Sequence, residues 1–106
     1  MSTEGAPGVI RDNPEEQRYE LLIGDSVVGE IQYHRRRSSD RIAFVHTEVS
    51  PSLEGHGLAS RLVAGALDDV RAHGLHVVPI CPFVSGYLRD HPEYDDLVVA
   101  DRRVPR

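Results

Sequence analysis

The segment VSPSLEGHGLA, residues 49–59, places a proline and two glycines directly ahead of an apolar helical pattern. Glycine allows a ligand to approach the main chain closely, and the free N–H groups at the start of a helix attract anions such as phosphate. The pattern therefore predicts a loop that holds a phosphate-bearing ligand through backbone groups.

Three kinds of glycine-rich loop compete for this stretch. A nucleotide-binding P-loop ends in Gly-Lys followed by Ser or Thr, and the sequence contains no lysine. A dinucleotide loop needs an acidic residue about 20 positions onward, at the end of the next strand, where this sequence has Pro-Ile-Cys. An acyl-coenzyme A site needs a strand splayed from its neighbour, then a helix whose first N–H groups face the pyrophosphate. The surrounding sequence favours this third kind.

Upstream of the loop, the alternation of apolar and polar residues predicts an antiparallel meander. Segments 18–23 and 26–35 flank the turn Gly24-Asp25 and predict a β-hairpin. Segment 41–49 alternates in the same way and predicts a third strand, which runs directly into the glycine loop.

Downstream of the loop, the period of the apolar residues changes. A stripe at helical spacing predicts a helix that ends at Gly74. The apolar run 76–81 predicts a buried strand parallel to its predecessor. Residues 82–91 predict a second helix, and residues 98–100 could add a last strand. The predicted fold class is α+β, with a mainly antiparallel sheet and two main helices.

The two ends of the chain differ in composition. Residues 1–16 are rich in Gly, Pro, Asn and acidic side chains and show no signal-peptide core, so we expect a flexible N-terminal tail in which the apolar pair Val9 and Ile10 could make one edge contact. Residues 17–106 have the size of one ordinary domain.

Composition also restricts the partners. The net charge of -5 has the wrong sign for a nucleic-acid-binding protein, and no apolar run reaches the ~18 residues of a membrane span. Cys81 is the single cysteine, which excludes an internal disulfide. His73, His76 and His91 have no thiol or carboxylate at metal-ligand spacing. We therefore expect a cytoplasmic protein that binds no nucleic acid, membrane or metal. We further expect a monomer or weak homodimer.

The loop resembles the acetyl-coenzyme A signature of the GNAT superfamily of N-acetyltransferases. That signature reads hydrophobic-x-Pro-x-x-(Gln or Arg)-x-x-Gly-x-(Gly or Ala) and follows an antiparallel hairpin. Its positions are occupied here by Val49, Pro51, Glu54, Gly57 and Ala59. Glu54 departs from the signature, because an anion stands where the family has Gln or Arg.

The rest of the chain resembles a minimal, single-domain branch of this superfamily. In that branch the strand after the signature ends in a cysteine and is followed by a tyrosine-bearing helix and an H-P-E-Y sequence. Cys81, Tyr87 and residues 91–94 correspond to these features. The resemblance covers roughly residues 18–100 and implies a GNAT-like fold with splayed central strands.

The resemblance implies that acetyl-CoA is the co-substrate. The backbone around Val49 would then hold the pantetheine arm, and the loop and first helical turn would hold the pyrophosphate: Glu54, Gly55, His56, Gly57, Leu58, Ala59 and Ser60. The charge of Glu54 would be offset by His56, by Arg61 or by the arginines at 35–37.

Three side chains are the candidates for catalysis. By resemblance, Tyr87 would protonate the leaving thiolate and Cys81 would lie beside the thioester. Glu48 flanks the splay together with His46, and either could act as a base or orient a water molecule. Direct transfer and a cysteine-acyl intermediate both remain open. The expected function is acetyl transfer to an amine of a small molecule or a protein. The alternative is a non-catalytic acyl-CoA-binding or protein-interaction module with the same fold.

Overall fold

The computed structural model describes residues 8–36, 38–53 and 57–99. Five strands form one sheet in the order β1-β2-β3-β4-β5, antiparallel except for the parallel pair β4 and β5. In chain order, the elements are β1 Val9–Asn13, β2 Arg18–Ile23, β3 Ser26–His34, β4 Arg41–Val49, α1 Leu58–Ala72, β5 His76–Pro79 and α2 Pro82–Asp90. Single 3-10 segments lie at Pro51–Leu53 and Pro92–Leu97. The predicted α+β class is confirmed.

The prediction of a flexible tail is wrong for residues 9–13, which form β1. This strand pairs with the free edge of β2, with Ile10 opposite Leu21. Ile10 also packs against α1 so closely that a Cβ on Gly65 would lie 2.3 Å from its Cδ1 atom. The apolar signal of β1 is only two residues long, and its partners are provided by β2 and α1. Residues 1–7 lie outside the described part of the chain.

Both helices pack against one face of the sheet, and the core lies between the two layers. The predicted apolar stripe of α1 is buried over its whole length: Leu58, Leu62, Val63, Ala66, Leu67 and Val70. Two buried tyrosines add polar anchors. Tyr19 on β2 donates to Asp69 on α1 at 2.7 Å, and Tyr33 on β3 donates to Asp12 on β1 at 2.6 Å. These bonds fix α1 and β1 relative to the centre of the sheet.

The second half of the chain differs in detail from its prediction. The strand expected at 76–81 ends at Pro79, and Cys81 becomes the cap residue that precedes α2. Val98 bridges to Val77 on the outer side of β5, so an extended segment begins there as expected, although residue 100 lies outside the described chain.

The face of the sheet opposite the helices carries a network of charged side chains. Glu20 on β2 is only 1% exposed, and it accepts hydrogen bonds from Arg18 (2.7 Å), Arg11 (2.9 Å) and Asn13 (3.1 Å). Arg18 also donates to Glu30 on β3 at 3.0 Å. Burial alone would raise the pKa of Glu20, but the three donors outweigh burial and hold this pKa below its usual 4.5.

We expect Glu20→Gln to lower the free energy of unfolding by about 2 kcal/mol at neutral pH, because a charged acceptor is lost while its donors stay in place. The folded-state pKa of Glu20 lies below the unfolded value, so its contribution is complete above about pH 4.5 and is lost as pH falls through the folded pKa. Urea unfolding at pH 7 and at about pH 3 tests this. Glu16→Gln, at an exposed position, is the control. A deficit of the same size at both pH values would contradict the electrostatic explanation.

Candidate active site

The parallel pairing of β4 with β5 stops halfway along β4. The last pair is Phe44 opposite Pro79. Pro79 has no N–H group, and the next two N–H groups, of Ile80 and Cys81, both donate to the Phe44 carbonyl at 3.1 and 2.8 Å. The chain then turns into α2. From residue 45 to Val49, β4 therefore has no strand partner among the described residues on this side.

The register of β3 with β4 shows which backbone groups face this gap. Phe44 pairs with Tyr33, Thr47 with Ile31 and Val49 with Gly29, so the partners on β3 are two residues apart. Between Phe44 and Thr47, β4 contains one extra residue, which forms a β-bulge at Val45. Because hydrogen-bonded and non-hydrogen-bonded pairs alternate in an antiparallel ladder, Thr47 and Val49 belong to the same class as Phe44. Their peptide groups therefore point away from β3 and into the gap.

Helix α1 begins beside the end of β4. Gly57 is its N-terminal cap residue with φ of 73°, and no side chain caps the first turn. The N–H groups of Leu58, Ala59 and Ser60 thus lack helical partners, and the first turn contains no acidic residue. This end of the helix suits an anion. The predicted loop residues Glu54, Gly55 and His56 lie outside the described residues.

A cleft of about 330 Å³ connects the first turn of α1 with α2. Ser60 lies on one side and Tyr87 on the other. The ring of Tyr87 stacks on the ring of His91 with centroids 3.8 Å apart and an angle of 11° between the planes. The pKa of Tyr87 is raised above its ordinary 10.0, mainly by burial and to a smaller extent by the negative charges of Glu93 and Asp68. The phenol is therefore protonated at neutral pH and can donate a proton.

Cys81 lies buried at the closed end of the gap. Its side chain is 4% exposed, and its Sγ atom is 3.3 Å from the hydroxyl oxygen of Thr47 on β4. This contact crosses from the start of α2 to the splayed part of β4. The thiol therefore lies next to the backbone groups that face the gap.

Glu48 lies on the other face of the sheet. Its side chain is 67% exposed, and its carboxylate is 3.3 Å from Nε2 of His46. Glu48 lines a groove of about 250 Å³ together with Val49, Ser50 and Glu30. The groove thus lies at the end of β4, whereas the cleft lies between the first turn of α1 and α2.

The model of one protein family, described as GCN5-related N-acetyl-transferase, matches residues 18–97 of this sequence. That range contains both helices and all the strands except β1. The chain belongs to this family. The resemblance inferred from the glycine loop, Cys81 and Tyr87 is thereby confirmed, and the protein is an N-acetyltransferase.

Solved structures show the same GNAT fold. A GCN5-like candidate N-acetyltransferase from Staphylococcus aureus superposes with a TM-score of 0.66 at 23% identity, covering 91% of this chain and 92% of the other. Ard1 from Thermoplasma volcanium gives 0.51 at 21% identity, covering 65% and 46%. N-acetylglutamate synthase from Neisseria gonorrhoeae, solved with coenzyme A and N-acetyl-glutamate, gives 0.50 at 18% identity, covering 73% and 20%. At these identities the likeness establishes the fold of this N-acetyltransferase.

The predicted site residues of this GNAT protein fall into three groups. Ser60 and Tyr87 share the cleft, Glu48 and Val49 share the groove, and Cys81 contacts Thr47 on β4. Two neighbours were missed from the sequence. Thr47 reads as an ordinary strand residue, because only the fold brings it to Cys81. His91 follows Tyr87 by four residues at the end of the predicted helix, a spacing that places two side chains on one helical face and could have indicated their contact.

Two further properties concern only residues 8–36, 38–53 and 57–99. Within these ranges, no group of three or more His, Cys, Asp or Glu side chains is arranged to hold a metal ion. No helix in them has both the length and the apolar character needed to cross a membrane.

We expect Gly57→Ala to destabilise this GNAT domain by roughly 1 kcal/mol, because the backbone at residue 57 is left-handed, with φ of 73°. Nothing lies within 4 Å of the added Cβ atom, so strain is the cause and steric overlap is not. Gly86→Ala within α2 is the matched control and should be neutral or stabilising, since its Cβ would meet only the end of Arg89. Urea unfolding measures both variants. Equal stability of Gly57→Ala and the wild type would contradict the role of the left-handed cap.

Proposed function

We propose that the enzyme transfers the acetyl group of acetyl-CoA to an amine of a small molecule or a protein. The observation that carries this proposal is the open edge of β4. Peptide groups of Thr47 and Val49 face a gap that no described strand fills, and the free N–H groups of α1 follow within the same strand-loop-helix unit. An extended amide-containing arm can pair with the strand edge while an attached diphosphate meets the helix.

The residues present fit coenzyme A in three respects. The backbone groups of Val49 can form hydrogen bonds with the pantetheine amides. These bonds would replace the strand pairing that β5 does not provide at this part of β4. Leu58, Ala59 and Ser60 offer N–H groups to the pyrophosphate, at a helix end without acidic side chains. The cleft beside Ser60 also contains Arg89, a cation that forms no ion pair with the described residues. Glu54, Gly55 and His56 would complete the pyrophosphate loop.

The cleft and the groove share no lining residue, which suggests separate routes for the two substrates. In this proposal acetyl-CoA occupies the cleft on the helical face, and the amine approaches through the groove that contains Glu48. Glu48 accepts a proton from the amine, either directly or through a water molecule. An acidic group on the acceptor side also attracts the ammonium form in which most amines arrive.

The chemical step is then a direct transfer. The amine lone pair attacks the thioester carbonyl carbon, and the peptide N–H groups of β4 in the gap stabilise the negative charge that develops on its oxygen. The carbon–sulfur bond breaks, and the phenol of Tyr87 gives its proton to the departing thiolate. The products are the N-acetylated amine and free CoA. Cys81 lines the thioester site, and its buried Sγ atom acts as a neighbour and not as a nucleophile.

Tyr87→Phe should lower kcat about a hundredfold and leave the KM for acetyl-CoA unchanged, because only the proton donor is removed. Since burial raises the pKa of Tyr87, its deprotonation should not lower the wild-type kcat below pH 10.0. Release of free thiol, followed with a panel of small amines and peptides, measures both quantities. An unchanged kcat in Tyr87→Phe would exclude this role.

Glu48→Gln should lower kcat/KM for the amine and leave acetyl-CoA binding intact, because Glu48 lies on the acceptor side. Glu16→Gln, also exposed, is the control. Calorimetry with acetyl-CoA provides the binding measurement. If wild-type protein binds acetyl-CoA and no amine gives turnover, the non-catalytic binding module replaces the enzyme proposal. A loss of acetyl-CoA binding in Glu48→Gln would contradict the separate routes.

Cys81→Ala distinguishes direct transfer from a cysteine-acyl intermediate. In direct transfer the variant keeps most of its turnover, and protein mixed with acetyl-CoA alone gains no acetyl group by mass spectrometry. Because Cys81 is the single cysteine of the chain, an acetylated thiol would be unambiguous. Its appearance, together with loss of turnover in Cys81→Ala, would overturn the direct route.

A further inference from the structure

The H-P-E-Y sequence at residues 91–94 has no part in the proposed chemistry, yet both of its aromatic rings contact Tyr87. The imidazole of His91 stacks on the phenol ring, nearly parallel and at 3.8 Å between centroids. The ring of Tyr94 lies at 6.3 Å from the same ring, tilted by 40°. Tyr87 is thus in contact with two aromatic neighbours that both come from this short segment.

The position of His91 is itself fixed by a hydrogen bond. Its Nδ1 atom is 2.8 Å from the carbonyl oxygen of Tyr87. A carbonyl can only accept, so Nδ1 carries the hydrogen. This bond links the histidine to the backbone of the residue on which its ring stacks, and it satisfies one of the last carbonyls of α2. Backbone and ring contacts together restrict the rotation of both side chains.

Tyr94 connects the same segment to α1. Its hydroxyl donates to Asp68 at 2.8 Å, and the guanidinium of Arg71 lies over its ring at 5.9 Å. Arg71 also bonds Asp96 at 2.7 Å, and thereby holds the 3-10 segment against the helix. The segment that contacts Tyr87 is therefore anchored to the helix whose first turn lines the other side of the cleft.

We propose that His91 is a positioning residue, whose stacked ring holds the Tyr87 hydroxyl at the point in the cleft where the thiolate leaves. This inference rests on the proposed function, because it gives His91 an effect on catalysis only through Tyr87. His91 itself exchanges no proton with the substrate. Its part is to reduce the number of Tyr87 rotamers from which the proton can be given, which preorganises the acid for the transfer step.

Two substitutions separate the ring contact from the hydrogen bond. His91→Phe keeps a stacking ring and loses the donor, whereas His91→Asn keeps a donor near the Nδ1 position and loses the ring. The chain also offers a matched control in His73, whose Nδ1 bonds the carbonyl of Asp69 at 2.9 Å with the same four-residue spacing. Because His73 is involved in no aromatic stack among the described residues, His73→Asn should leave every measurement unchanged.

The contact is tested first by NMR on protein with ring-labelled tyrosine. The chain has four tyrosines, and Tyr87 is assigned by the signal lost in Tyr87→Phe. A ring stacked on Tyr87 shifts its signals upfield, so His91→Asn should move them downfield and His91→Phe should not. Tyr87 signals that stay in place in His91→Asn would overturn the inference, whether or not acetyl-CoA binds. A missing response to acetyl-CoA in wild-type protein would instead contradict the proposed function.

The kinetic test uses the best amine of the panel. His91→Asn should lower kcat roughly three- to tenfold with the KM for acetyl-CoA unchanged, and His91→Phe should restore most of the rate. In a Tyr87→Phe background, His91→Asn should have no further effect on kcat, because the group that it positions is absent. An equal loss in both backgrounds would show that His91 acts by another route and would overturn the positioning role.

Discussion

The arrangement of the site depends on a pair of hydrogen bonds at the carbonyl group of Phe44. This carbonyl accepts the N–H groups of both Ile80 and Cys81, directly after a proline that has none to offer. The parallel ladder cannot continue past this point, so β5 turns away while β4 runs on to Val49. One backbone arrangement therefore ends the pairing, opens the gap and starts α2 at Cys81.

The same arrangement decides which side chains can meet. Because α2 starts at the closed end of the gap, Cys81 contacts Thr47, and Tyr87 faces the cleft beside the first turn of α1. The extra residue in the β4 bulge shifts the alternation of side chains by one position. Thr47 and Val49 therefore lie on the same helical face as Phe44, and Glu48 lies on the opposite face. The proposed acid, Tyr87, thus lies on α2 on the helical side of the sheet, and the proposed base, Glu48, lies on the opposite face of β4.

A small sheet with helices on one face needs anchors to keep this geometry. Apolar burial supplies most of the stabilisation, but it is non-directional. Tyrosine hydroxyls supply direction: Tyr19 bonds Asp69 and Tyr94 bonds Asp68, on adjacent residues of α1. Helix α1 is thereby fixed both to the sheet and to the segment that supports Tyr87. On the uncovered face, Glu20 and its donors bind the first three strands together through charge.

Elements with strong local patterns could be predicted from the sequence. The meander, the stripe of α1, the glycine-initiated helix and the family all follow from alternation, helical period and motif spacing, which depend on near neighbours in the chain. Strand β1 could not be predicted, because its apolar pattern is only two residues long, Val9 and Ile10. The strand is stabilised by its pairing with β2 and by the packing of Ile10 against Gly65. The predicted end of β5 is two residues too late. The strand ends at Pro79 because the N–H groups of Ile80 and Cys81 both donate to the carbonyl of Phe44, and that contact joins segments far apart in the sequence.

Tertiary structure alone decided how the candidate residues are grouped. Spacing in the chain could nominate Glu48, Cys81 and Tyr87, but it could not show that Glu48 lies in a groove at the end of β4 and Tyr87 in a cleft between α1 and α2. The contact of Thr47 with Cys81 carries no sequence signal of its own. It exists because the end of the β4–β5 pairing brings the start of α2 against β4, and that is a property of the folded chain.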